Sequence, residues 1–167
     1  MTVYSFSPFG YEGSLVTVEV DLRMGIPATD IIGLSDGSVK ESRERIKAAF
    51  KNQGIEFPQE RVLISLSPAD LKKEGSGFDL PIALGVYNAM RGNPSDGEGV
   101  LVMGELKLSG ALRPVRGVYA ACLNAVEEGI TECVVPAVQA WEAEKAGMKT
   151  VHGVKDLKEA FDLTLWA

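Results

Sequence analysis

Lys72, Lys73 and Ser76 stand together in Lys72-Lys73-Glu74-Gly75-Ser76-Gly77, just ahead of Asp79 and an almost wholly apolar run, Leu80 to Met90. A serine hydroxyl becomes a nucleophile when an amine able to exist neutral lies within hydrogen-bond reach. The free N–H groups and partial positive charge of a helix N-terminus can then hold the developing oxyanion. Ser76 with Lys72 or Lys73 as an improvised base is therefore the one arrangement here that hints at acyl transfer. Against it, full solvation of a polar, glycine-marked loop keeps both lysines protonated. The plainer reading is a connector that sets up a helix cap, with Asp79 as N-cap accepting from the first turn.

Other constellations point elsewhere or nowhere. A helix expected from Ser38 to about Asn52 carries Lys40, Arg43, Arg45, Lys47 and Lys51 against Glu41 and Glu44. Lys40, Arg43, Lys47 and Lys51 are candidates for contact with nucleic-acid phosphates; the competing reading is a solvated face with i,i+4 pairs, Glu41 with Arg45 and Glu44 with Lys40. Arg113 and Arg116 bracket Pro114 and are candidates for an anion or a partner, or for pairing with Glu105. No Gly-x-x-x-x-Gly-Lys-Ser/Thr occurs, so the sequence contains no P-loop. His152 is the only histidine and has no second imidazole with which to share a metal ion, so no metal site is expected. Cys122 and Cys133 read as core thiols, too few for a disulfide framework or a zinc site. Trp141 and Trp166 read as packing aromatics, with half exposure the alternative for Trp166, near the end.

The elements that must position these residues follow from hydrophobic period. Thr2 to Phe9 reads as a strand. Leu15 to Leu22 alternates, with Val16, Val18, Val20 and Leu22 on one face. Asp30 to Leu34 is a further short strand. Ser38 and Glu41 have capping-box spacing, Gly54 closes the basic helix, and Val62, Ile64 and Leu66 face inward from a strand over Arg61 to Leu66. A helix apolar on nearly every face, as over 80–90, is a buried helix, and Pro81 fits its first turn. Glycine-rich loops are expected over 10–13 and 91–97. Val100 to Met103 has the continuous apolar run of a strand covered on both faces. Gly104 to Pro114 reads as a strand end, a Ser-Gly turn and a returning strand. Helices over 118–128, 139–146 and 155–163 alternate with strands over 132–135 and 150–152. The result is one domain over residues 1–167, α/β (α+β), with a mixed β-sheet packed by helices.

With 46% hydrophobic and 24% charged residues, the 167-residue chain has ordinary globular composition. Its net charge of −6 argues against nucleic-acid binding by bulk charge. No run approaches the ~18 apolar residues of a membrane span, and no signal peptide is visible at the start. A cytoplasmic protein with reduced thiols, and no membrane partner, is expected.

Two segments carry a resemblance. KKEGSGFDLPIAL is similar to the segment of Lon-type proteases that bears the nucleophilic serine, and GELKLSGALRPVRGVYAACLNAVEEGI is similar to the segment that bears the partner lysine. With TVEVDLRMGIPATDIIGL, SVKESRERIKAAF and FPQERVLISLSPADLKKEG added, the chain more closely resembles the N-terminal domain of magnesium-chelatase-like AAA+ ATPases of the ComM or YifB type, to about Leu163. The C-terminal domain of RadA-type recombination proteins is similar more distantly. The resemblance implies a Lon-protease-like fold with a left-handed βαβ crossover, where the common hand is right. It implies an AAA+ module downstream, with ATP and magnesium bound there and no cofactor in this chain. It implies ring oligomers, with the chain's own AAA+ module and neighbouring subunits as partners, and a role in DNA processing such as branch migration in transformation. On that alignment the serine position falls on Gly77 and the lysine position on Tyr119, neither of which can serve in the dyad, so no catalytic residue is expected beyond the fallback of Ser76 with Lys73.

Overall fold

The computed structural model describes residues 1–8, 13–71, 73, 76–92 and 98–166. The Gly10–Glu12 break, Lys72, Glu74, Gly75 and the loop over 93–97 lie outside the described residues.

Seven strands form the main sheet: β1 (Thr2–Ser7), β2 (Ser14–Arg23), β3 (Ala28–Ile32), β4 (Arg61–Ser67), β5 (Gly99–Val102), β8 (Glu132–Pro136) and β9 (Thr150–Val154). β6 (Glu105–Leu106) and β7 (Leu112–Arg113) form a separate two-stranded ribbon. Five α-helices accompany them: α1 (Asp36–Asn52), α2 (Asp79–Met90), α3 (Val118–Glu127), α4 (Ala140–Lys145) and α5 (Leu157–Phe161). The sheet order is β3-β4-β2-β1-β5-β8-β9. β2 runs antiparallel to both β1 and β4, while the other neighbouring pairs are parallel. The fold is α/β with a mixed, mostly parallel sheet.

Strand alternation sends side chains to two separate cores. In β5 and the residue that follows it, Val100 and Val102 join the core under α1, α2 and α5, whereas Leu101 and Met103 join the core under α3 and α4. The apolar alternation of β2 and β4 is in register, pairing Val18 with Leu66, Val20 with Ile64 and Leu22 with Val62. Those residues face α2, whose Leu80, Ile82, Leu84 and Val86 are all fully buried. Each such side chain contributes roughly 1.5–3 kcal/mol of transfer free energy. Gly85 is where α2 lies closest to the sheet: a Cβ there would stand 3.0 Å from Val20 Cγ2 and 3.2 Å from Val18 Cγ1. The second core covers only part of the opposite face. Glu19, Asp21, Arg23, Asp30, Ile32 and Arg61, on the β2, β3 and β4 half, are exposed.

Several helix ends follow the glycine signals. Gly54, Gly129 and Gly147 each follow a C-cap with positive φ. In all three the next residue donates back into the last turn, Ile55 N–H to Phe50 O, Ile130 N–H to Ala125 O and Met148 N–H to Ala143 O, the paired bonds of a Schellman motif. The expected Ser-Gly turn is held down by α1. Asn52 Nδ2 donates to Leu108 O (2.7 Å) and Gln53 Nε2 to Ser109 O (3.0 Å).

Other expectations are corrected. β1 stops at Ser7, and β3 covers Ala28–Ile32 rather than Asp30 to Leu34. α1 begins at Asp36, not Ser38, so Ser38 lies inside the first turn and no capping box forms; Ser35 is the N-cap, and its hydroxyl donates to Ser38 Oγ (2.9 Å). A 3-10 turn, Ala137–Gln139, precedes α4, and α5 is shortened to five residues by its cap, Asp156, which accepts from Glu159 N–H (2.8 Å). Of the two tryptophans expected to pack, only Trp166 does. Trp141 is 61% exposed, whereas Trp166 is 1% exposed, its Nε1 donating to Ala160 O (2.8 Å). Arg91 Nε donates to Trp166 O (2.9 Å), so the end of the chain packs on the last turn of α2.

Candidate functional site

The N-terminus of α2 is the centre of the site, and its own sequence explains its start. Ser76–Phe78 forms a 3-10 turn that leads into α2, and Pro81 sits in the first helical turn, where an N–H would have no partner. Asp79 is not the N-cap: Phe78 holds that position, and Asp79 is the first helical residue, with its side chain turned away into the interior. There it accepts from Ser42 Oγ (2.8 Å), Arg45 Nε (2.7 Å), Arg45 Nη2 (3.2 Å) and Leu106 N–H (3.1 Å). Burial pushes the Asp79 carboxyl above its usual range, and the bonds from Arg45, Ser42 and Leu106 act the other way. Arg45 is held above its own ordinary value chiefly by the hydrogen bond to Asp79. Every neighbour of the two carboxylate oxygens is a donor, so the ionised form is the one the cluster accommodates.

The helix end is also closed by backbone. Leu80 N–H donates to Gly104 O (3.0 Å), and Gly104 N–H to Gly77 O (3.3 Å). Gly77 faces Val115: a Cβ there would meet Val115 Cγ1 at 3.7 Å, an ordinary contact. Gln139 fixes Val115 in turn, accepting from its N–H (2.9 Å) and donating to its carbonyl (2.6 Å). The segment between β7 and α3 is thereby pinned beside Gly77, and Gly117, at φ 85, turns it into α3.

Lys73 overturns the expectation of a solvated amine. It is 2% exposed, its Nζ donates to the carbonyls of Pro68 and Leu71 (2.7 Å for the latter), and among the described residues no hydrogen bond joins it to Ser76. Its stem lies against Gly33, beside an open cleft of about 480 Å³ lined by Ile32, Gly33, Leu34, Ser35, Ala69 and Asp70 among others. Desolvation lowers its pKa from 10.5. A lowered amine pKa means that the unfolded chain binds the proton more tightly, so stability rises with pH up to the unfolded value. Comparing the chain with Lys73→Met by urea unfolding, the difference in stability should shift in favour of lysine as pH climbs towards 10.5, then level off. A difference independent of pH would mean the amine is solvated after all.

The other candidates are dispersed. Tyr119 is 40% exposed on α3. Arg113 and Arg116 are exposed on either side of Pro114; Arg113 sits opposite Glu105 in the ribbon. Along α1, Arg43 Nη1 donates to Thr29 O (3.1 Å), Arg45 is committed to Asp79 and reaches Glu41 at 3.8 Å, and Lys47 Nζ lies 5.6 Å from the Phe57 ring centre. Lys40, Lys47 and Lys51 are exposed, and their i, i+7, i+11 spacing sets them on one side of the helix over roughly 16 Å. His152 Nε2 lies 2.6 Å from Glu132 Oε2. Cys122 and Cys133 are fully buried free thiols; interaction with Cys133 holds the Cys122 thiol below its ordinary value, while interaction with Cys122 and burial push Cys133 above it. Among the described residues no group of three metal-ligating side chains occurs, and no helix is long and apolar enough to cross a membrane.

The residues that sequence reasoning missed are Ser42, Gln139 and Leu106; Arg45 was noted as a cation of the basic helix and as the i,i+4 partner of Glu41, a pair the structure contains at 3.8 Å, but not as the partner of Asp79. No local signal marks them, because their partners lie 24 to 37 positions away in the chain.

Residues 18–139 match the family described as subunit ChlI of Mg-chelatase. The chain is 39% identical over 155 residues to an uncharacterized protein of Mycobacterium tuberculosis, covering 92% of this chain and 31% of the relative. It is 39% identical over 142 residues to the competence protein ComM of Haemophilus influenzae (84% of this chain, 28% of ComM). To YifB of Escherichia coli it is 40% identical over 130 residues (76% and 25%). The chain thus spans less than a third of the length of each of these relatives.

Proposed function

Given that the chain belongs to the Mg-chelatase ChlI-subunit family, with YifB and ComM as relatives, we propose that it is a non-catalytic, Lon-like accessory domain of a ComM/YifB-type AAA+ ATPase. In this reading it mediates contacts with its own ATPase module and with neighbouring subunits during DNA processing. The observation that carries the reading is the state of the α2 N-terminus. Glycine occupies position 77 and tyrosine position 119, and the nearby amine of Lys73 is spent on two backbone carbonyls. A Ser–Lys dyad needs an amine free to take the serine proton, and among the described residues no amine is hydrogen-bonded to Ser76. The helix N–H of Leu80 donates to the Gly104 carbonyl and is not free to hold an oxyanion. The Lys40, Lys47 and Lys51 line is the surface this domain offers to DNA phosphates, and Arg113 and Arg116 are offered to a partner. ATP and magnesium belong to the ATPase module in this proposal, since the chain has neither a P-loop lysine nor a glycine-rich turn preceding one, and no step is assigned to them here.

The test is hydrolysis. The purified chain, given casein and a panel of fluorogenic peptides, is expected to show no turnover above buffer. Hydrolysis that is abolished by Ser76→Ala, with the fold intact by circular dichroism, would overturn the proposal and restore the peptidase reading.

A further inference from the structure

Trp141 is 61% exposed in the first turn of α4, and among the described residues no other ring stacks on it. Val138, three residues earlier and 67% exposed, widens the apolar surface beside the indole. The two bonds between Val115 and Gln139 lay the segment before α3 alongside the start of α4. Arg116 follows Val115 and Trp141 lies two residues past Gln139, so both leave the backbone close to one contact. Arg113 stands two residues before Val115. Arg113 and Arg116 are exposed, and among the described residues neither makes an ion pair or a side-chain hydrogen bond. Lys145, exposed and also unpaired among those residues, follows Trp141 at i+4 and so shares its side of α4. Three carboxylates lie nearby. Glu105, opposite Arg113 in the ribbon, and Glu142, which accepts from Gln139 Nε2 (3.2 Å), are half-buried; Glu144, at i+3 from Trp141, is exposed.

We infer that this surface binds single-stranded DNA, with an unstacked base on the Trp141 indole and adjacent phosphates on Arg113, Arg116 and Lys145. Unpaired cations call for an anion, and a bare indole calls for a flat ring. A nucleotide of a separated strand carries both. Arginine suits the phosphate through two parallel N–H bonds. A duplex fits poorly, because its bases lie on one another and show only their edges in the grooves. An acidic peptide run supplies the charge without the planar face. With a net charge of −6 on the chain, the attraction is local and steeply salt-dependent. The inference rests on the reading of this chain as a domain used in DNA processing, and adds a second surface to it. α1 and its lysine line belong to one core and α4 to the other, so the two surfaces lie on opposite sides of the sheet.

The experiment is a fluorescence titration of the 167-residue chain with a short oligothymidylate at low ionic strength. Trp166 is 1% exposed, so a base stacking on Trp141 quenches only the emission of the exposed indole. Quenching is expected, and Trp141→Phe should abolish it. With a labelled oligonucleotide followed by anisotropy, Trp141→Ala should weaken binding roughly tenfold. Arg116→Ala should lower the slope of log affinity against log salt by about 0.7, and Glu144→Gln should tighten binding. These side chains are exposed, and thermal unfolding of each variant checks that the fold is kept. No quenching at low salt, an affinity indifferent to Trp141→Ala, or equal quenching by polyglutamate would each overturn the inference. A duplex held through Lys40, Lys47 and Lys51 with no response from Trp141 would overturn it while leaving the DNA-processing reading in place. Failure to bind either form of DNA would count against both.

Discussion

Asp79→Asn is expected to destabilise the chain by about 3 kcal/mol, the scale seen when one partner of a buried ion pair is removed. The carboxylate now accepts four hydrogen bonds from three residues of two other segments. An amide of the same shape offers one acceptor oxygen and turns two N–H donors towards groups that are themselves donors. Ser42, fully buried, can rotate its hydroxyl to accept, but the Leu106 N–H and the Arg45 guanidinium cannot. Arg45 retains some contact with water, its side chain being 22% exposed, which keeps the expected loss at the lower end of the range. For a domain of this size the loss corresponds to a fall of about 6–12 °C in Tm. Thermal unfolding followed by circular dichroism measures it. A fall of only a degree or two would mean that the cluster is held by shape and not by charge.

Gly33→Ala should cost a similar amount, about 2–4 kcal/mol, by a different route. Gly33 follows β3 at φ +99, a conformation that side chains rarely adopt, and a Cβ there would stand 2.4 Å from Leu66 O and 3.1 Å from Lys73 Cε. The lysine stem can move, but the carbonyl belongs to β4 and cannot move without disturbing its pairing with β3 on one side and β2 on the other. Gly37→Ala provides the contrast. It lies in the first turns of α1 with nothing within 4 Å of the added atom, so it should leave stability unchanged or raise it by up to about 1 kcal/mol. Urea unfolding of the two variants side by side decides the matter; equal effects would mean that Gly33 is not under the constraint described.

The sheet and the buried helix could be read in advance because their signals are local. Val16, Val18, Val20 and Leu22 alternate, Leu80 to Val86 is apolar on every side, and Gly54, Gly129 and Gly147 mark helix ends wherever the chain goes. The site was harder to read because its residues answer to partners far along the chain. Asp79 satisfies every local rule for an N-cap, yet Arg45 and Ser42 on α1 outbid the first turn of its own helix. Lys73 sits among polar neighbours that suggest solvent, yet its amine turns back on the nearby carbonyls of Pro68 and Leu71, and the fold lays Gly33 against its stem. The capping-box spacing of Ser38 and Glu41 failed because Asp36 and Gly37 had already joined the helix. Both tryptophans were open to a packing reading, but only Trp166 is buried, its indole N–H bonded to the Ala160 carbonyl, while Trp141 is exposed.

The division of the interior into two cores has a consequence for how substitutions combine. Ile82 and Ala125 lie on opposite sides of the sheet and belong to different clusters, so damage at one is not felt by the neighbours of the other, and their energetic effects should sum. β1, β5 and β8 are different. Val3, Val100, Val102 and Val134 serve one cluster and Phe6, Leu101, Cys133 and Val135 the other, so a change that shifts the backbone of any of these strands couples both sides at once. Sequence drift can therefore proceed almost independently on the two helical layers, while the strands they share are the lines along which their histories are tied.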